Sequence, residues 1–110
     1  GVNTYITALE ADATGRFVYY VPGAHGGAER DGSAVVQFDT KTKARKVVAF
    51  LSPFYEKTYG VAPVGSYSLA LSPDGADLYV TWNARRTGAK PWDAVALSVV
   101  HVPATERRAE

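Results

Sequence analysis

Ser72-Pro73-Asp74-Gly75-Ala76-Asp77-Leu78-Tyr79-Val80 decides the fold, because the chain contains its like twice. Asp12-Ala13-Thr14-Gly15-Arg16-Phe17-Val18-Tyr19-Tyr20 lies on it without a gap at a shift of 60 residues. Further on, Val36-Gln37-Phe38-Asp39-Thr40 lies on Val100-His101-Val102-Pro103-Ala104 at a shift of 64, the extra four residues falling in a loop. The spans Ala8–Arg45 and Ala70–Arg108 therefore read as two copies of one unit. Repeats of this size are stacked supersecondary units, each too small to bury its own apolar face.

The local chemistry of the repeat is that of a tight hairpin. Ser72 opens a turn, Pro73 sets φ near the value its second position needs, and Gly75 closes it, as in a type I turn. Asp12 and Gly15 hold the same two ends in the first copy. Elsewhere apolar and β-branched residues come in short runs bounded by turn residues, and no stretch carries a sustained helical stripe. The reading is all-β, with two four-stranded antiparallel sheets. Strands are expected near 4–11, 16–21, 33–39 and 45–51, then 67–72, 77–83, 94–102 and a short one near 106–108. The units are 1–51 and 67–110, joined by a connection over 52–66. Period-2 alternation names Leu9, Val18, Val36, Leu69, Leu71, Leu78, Val80 and Val100 as buried.

Composition bounds the rest. The 110 residues are 46% hydrophobic and 12% aromatic, enough for one packed domain. Twelve basic against eleven acidic residues leave a net charge of +1, not the excess that a phosphate backbone selects, so nucleic acid is not an expected partner. With no cysteine there is no disulfide, thiolate nucleophile or Cys-held zinc. No apolar run approaches the roughly 20 residues that span a bilayer. The chain starts at Gly1 and has no methionine, which reads as a processed product or a piece of something larger.

Leu78-Tyr79-Val80-Thr81-Trp82-Asn83 after the 72–75 turn, followed by Leu97-Ser98-Val99-Val100-His101-Val102, resembles the YVTN repeat of β-propellers, related to the WD40-like repeats of TolB. Trp82 interrupts the Tyr-Val-Thr-Asn pattern, and His101 stands where the family's second element has aspartate. The first copy is more divergent, with Tyr19-Tyr20-Val21-Pro22 and Val35-Val36-Gln37-Phe38-Asp39. The resemblance implies that each copy is one blade and that its partners are further blades, in a parent chain or an oligomer. It implies a bacterial-type propeller serving as a non-catalytic scaffold and recognition surface, and it points toward a periplasmic or secreted setting. The alternative is part of a propeller enzyme, a hydrolase or lyase acting on polysaccharide or peptide, with the long loops lining its active site. A stand-alone eight-stranded sandwich sharing only the turn motifs is the third reading.

Strand alternation brings the long connections 22–32, 52–66 and 84–93 to one end, where a rigid sheet positions functional loops. In the first, His25 among glycines with Glu29 and Asp31 reads either as a metal or proton-transfer site or as a solvated glycine loop. In the third, Arg85, Arg86 and Lys90 with Trp92 read either as a clasp for an anionic or carbohydrate ligand or as a polar loop. The ligand-binding candidates are thus His25, Glu29, Arg85, Arg86 and Trp92. No catalytic residues, resident metal or cofactor are assigned. Phe54, Tyr55 and Tyr59 either pin the middle connection or line a pocket. Lys41, Lys43, Arg45 and Lys46 read as a guard on an outer strand. His101 points away from Val100 and Val102 and reads as a satisfied residue at a blade interface.

Overall fold

In a computed structural model, which describes residues 9–22, 33–88 and 94–106, seven strands form two antiparallel sheets. The first holds β1 (Leu9–Ala11), β2 (Phe17–Tyr20), β3 (Ala34–Asp39) and β4 (Arg45–Phe50), paired in chain order. A helix, α1 (Ser52–Tyr59), leads into the second sheet of β5 (Val61–Leu71), β6 (Asp77–Arg86) and β7 (Ala94–His101), again in chain order.

The two quoted turns are equivalent almost atom for atom. Gly15 N–H donates to Asp12 O at 2.9 Å, and Gly75 N–H donates to Ser72 O at 2.8 Å. The Phe17 amide reaches the Asp12 carboxylate, and the Asp77 amide reaches the Ser72 hydroxyl. Thr14 Oγ1 accepts from Arg16 N–H where Asp74 Oδ1 accepts from Ala76 N–H. Gly15 and Gly75 sit at φ of 75° and 76°, which glycine adopts without strain. The polar residues swap identity between copies while the hydrogen-bond scheme is kept.

Three expectations need correcting. The second sheet has three strands among the described residues. Where the sequence suggested a strand near 106–108, Ala104–Glu106 form one 3-10 turn, and the rest of that stretch lies outside the described residues. The 52–66 connection is mostly regular structure, since α1 fills its first half and β5 starts at Val61. The helix has proline in its first turn and ends on Gly60 in the left-handed conformation, φ 71°, whose N–H bonds Glu56 O. β5 tolerates Pro63 and Gly65 because the register with β6 shifts there.

The third correction concerns which side of the first sheet is buried. Phe17, Tyr19 and Val21 are in the core, Val18 is half-buried and Leu9 is exposed, so β2 buries the opposite face from the one expected, while Val36 on β3 is buried as expected. In the second sheet the expected positions hold: Leu78, Val80 and Val100 are buried, with Leu69 and Leu71 partly covered. One core joins the sheets, with Phe17, Tyr19, Val35 and Leu51 meeting Leu78, Val80, Trp82 and Val102. Trp82 is fully buried and its Nε1–H donates to Ser98 Oγ at 3.0 Å, satisfying the polar edge of the indole.

Candidate functional site

Because every strand is antiparallel to its neighbour, β2 and β4 run toward one end of the first sheet, and α1, which follows β4, closes beside the end of β6, where Thr87 N–H donates to Gly60 O. Of the sequence candidates there, His25, Glu29 and Trp92 lie outside the described residues. Arg85 and Arg86 close β6 opposite Ala62 and Val61. Arg85 Nη1 donates to Glu56 Oε2 at 2.8 Å, which ties β6 to α1. Arg86 is exposed beside it. The three aromatics of α1 cluster, with Tyr55 5.7 Å from Phe54 and 5.5 Å from Tyr59 between ring centroids. Tyr55 packs on the core and pins the helix, while Phe54 and Tyr59 stay exposed. Tyr55 thus fits the pinning reading of that stretch.

The opposite end holds a cleft of about 330 Å³ lined by Arg16, Gln37, Asp39, Arg45, Lys46 and Glu106 among others. Arg16 meets Asp39 through two parallel hydrogen bonds, Nε at 3.0 Å and Nη2 at 2.9 Å. That guanidinium, helped by the amides of Lys41 and Thr42 and opposed by partial desolvation, holds the Asp39 carboxyl well below the usual carboxylate range. Gln37 Nε2 donates both to Tyr19 Oη and to the Glu106 carbonyl, and Lys46 pairs with the Glu106 carboxylate. Arg16 is spent on Asp39 and Lys46 on Glu106, and with Gln37 they make a clamp fastening the first sheet to the turn after β7. Sequence reading missed it because its partners are distant in the chain, Arg16 and Asp39 by 23 positions and Lys46 and Glu106 by 60. Lys41, Lys43 and Arg45 are exposed around its rim. Among the described residues no group of three His, Cys, Asp or Glu side chains is placed to hold a metal ion, and no helix is long and apolar enough to cross a membrane.

The largest unspent feature is apolar. The outer face of the second sheet carries Tyr79, Val95, Leu97 and Val99, all exposed. His101 stands at the short-turn end of this face, exposed, with Nδ1 3.1 Å from Asp77 Oδ1. The outer face of the first sheet carries Leu9 opposite Tyr20, and Val36 between Tyr20 and Val47. Leu9 and Val47 are exposed there, Val18 and Tyr20 are half-buried, and Val36 is buried. The repeat gives these faces their meaning. At the shift of 60, Val18 and Tyr20 correspond to Leu78 and Val80, which the first sheet buries. Tyr19 corresponds likewise to Tyr79: the first is buried in the core and the second is open. The two copies therefore meet through non-equivalent faces, front of the first on back of the second. Comparison with known protein families, with curated proteins and with solved structures finds no match.

Proposed function

We propose that this chain is a two-blade segment of a larger β-propeller, a scaffold whose long-connection end is its recognition surface. The observation that carries the reading is the meeting of opposite faces. Two sheets related by a two-fold axis bury the same face of each copy, whereas units stacked in sequence bury the front of one on the back of the next. A second feature agrees: β1 runs close against β5, so the sheets converge on their first strands, as units arranged around an axis do. Recognition belongs at the long-connection end because α1 is fastened there by Arg85 and Glu56 while Arg86, Phe54 and Tyr59 face outward. An exposed guanidinium and exposed aromatic rings at one end suit an anionic or carbohydrate ligand.

The test is a binding screen of the immobilised chain against sulfate and against acidic and neutral oligosaccharides. For a ligand that binds, Arg86→Ala and Tyr59→Ala are each expected to weaken affinity about 10-fold or more, the loss for one charged hydrogen bond or one stacking partner. Lys43→Ala with Arg45→Ala, at the far end, is expected to leave it within about 2-fold. The reverse pattern refutes the assignment of the surface. Turnover of a bound polysaccharide or peptide refutes the scaffold reading in favour of an enzyme.

A further inference from the structure

We infer that the exposed outer face of the second sheet fits the partly covered outer face of the first, so that a second copy of this chain docks the outer face of its first sheet onto the outer face of the second sheet, repeating the internal interface. The inference rests on the blade reading above. Its occupant follows from the repeat. Inside the chain, the back of the second sheet, with Leu78, Val80 and Val100, is covered by the front of the first, with Phe17, Tyr19 and Val35. The counterparts of the covering residues, by the shifts of 60 and 64, are Asp77, Tyr79 and Val99, on the open front of the second sheet. The counterparts of the covered residues are Val18, Tyr20 and Val36, on the outer back of the first. A second copy thus brings to the open front the positions that this front's counterpart already covers.

Each face carries an exposed leucine, and the charges at one end are complementary. Leu97 is 63% exposed midway along β7 on one, and Leu9 is 59% exposed on β1 of the other. At the short-turn end, Asp77 lies on the front of the second sheet and Arg45, opposite Phe38, lies on the back of the first. Head-to-tail stacking keeps like ends together, which sets that carboxylate on the side of that guanidinium. The contact is heterologous, so it propagates until the rotation closes. Convergence of the sheets at β1 and β5 makes each step turn about that side, and propellers of about four to eight blades correspond to rings of about two to four copies.

Sedimentation equilibrium of the whole chain over about 1–100 µM reads the result. The wild type is expected to form an oligomer whose mass reaches a plateau. Leu97→Lys and Leu9→Lys each place a charge on one face only, and each alone is expected to weaken association roughly 100-fold or more. Their equimolar mixture retains one good front and one good back, and is expected to give a one-to-one dimer that grows no further. Both side chains are largely exposed, and a wild-type circular dichroism spectrum confirms that the variants fold; Val99→Lys and Val47→Lys repeat the pair on the same faces. A folded wild type that stays monomeric at 100 µM overturns the inference and leaves the blade reading standing. Association that Leu97→Lys abolishes and Leu9→Lys leaves intact indicates two-fold pairing and overturns both. Association untouched by either variant overturns the inference by placing the contact elsewhere.

Discussion

Asp39 closes the β3–β4 turn and binds Arg16 across the sheet, so one carboxylate serves local and non-local structure at once. Its Oδ1 accepts from the amides of Lys41, at 2.9 Å, and Thr42, at 3.3 Å. The Arg16 hydrogen bond is the leading cause that lowers its folded pKa below the ordinary 3.8. The folded chain therefore prefers the ionised form more than the unfolded chain does. This contribution to stability is full above the ordinary value and is lost as pH falls through and below it. Asp39→Asn keeps an acceptor for the two amides and removes the charge. The variant is expected to be less stable than wild type at pH 6, with the gap closing between about pH 4 and pH 2. Thermal midpoints taken across that range check this, and parallel curves for the two proteins would show that the pair carries no pH-dependent stability.

At the scale of elements, α1 depends most on its neighbours. Eight residues are too few for a helix to hold itself in water. The helix is kept by Tyr55 on the core, by the Arg85–Glu56 pair, and by Gly60, whose carbonyl accepts from Thr87 N–H at 2.8 Å. Glu56→Gln is expected to cost about 1 kcal/mol or less, because the pair is partly solvated. Hydrogen exchange of the Tyr55 and Gly60 amides is expected to speed up about 5-fold while β6 amides keep their rates. Equal acceleration in both elements would mean that the pair stabilises the whole chain and not the helix. The same scale shows what the sequence made legible. Turns 12–15 and 72–75 could be read because their chemistry is local, and β2, β3, β4, β6 and β7 followed from alternation between them. The helix was hidden because two turns give no periodicity, although proline in its first turn and Gly60 at its end are its marks. Val61–Ser66 read as loop because Pro63 and Gly65 interrupt it, yet those are the irregular positions where a strand accepts such residues. Of the five site candidates only Arg85 and Arg86 fall among the described residues, and the Glu56 partner of Arg85 lies 29 positions away, beyond any local pattern. The buried face of β2 was read one residue out of phase. The repeat identifies equivalent positions but does not say which unit has a neighbour on which side.

For the molecule as a whole, the core belongs to both sheets. Phe17, Tyr19, Val35 and Leu51 of the first half share one apolar cluster with Leu78, Val80, Trp82 and Val102 of the second. Neither sheet is expected to melt alone, so tryptophan fluorescence, which reports on Trp82 together with Trp92, and far-ultraviolet circular dichroism are expected to give one midpoint in a thermal scan. Two separated midpoints would mean that the sheets are independent units. The strand order adds a consequence for how the chain reaches this state. Every strand pairs with a neighbour in the chain, in the order β1-β2-β3-β4 and β5-β6-β7. Hairpins closed by turns such as 12–15 and 72–75 need little loop entropy, so either sheet can begin to form before the other. The slow step is then the docking of two half-formed faces, and the rate of folding is set by the distant contacts between Tyr19, Val35, Val80 and Trp82 rather than by any pairing of strands.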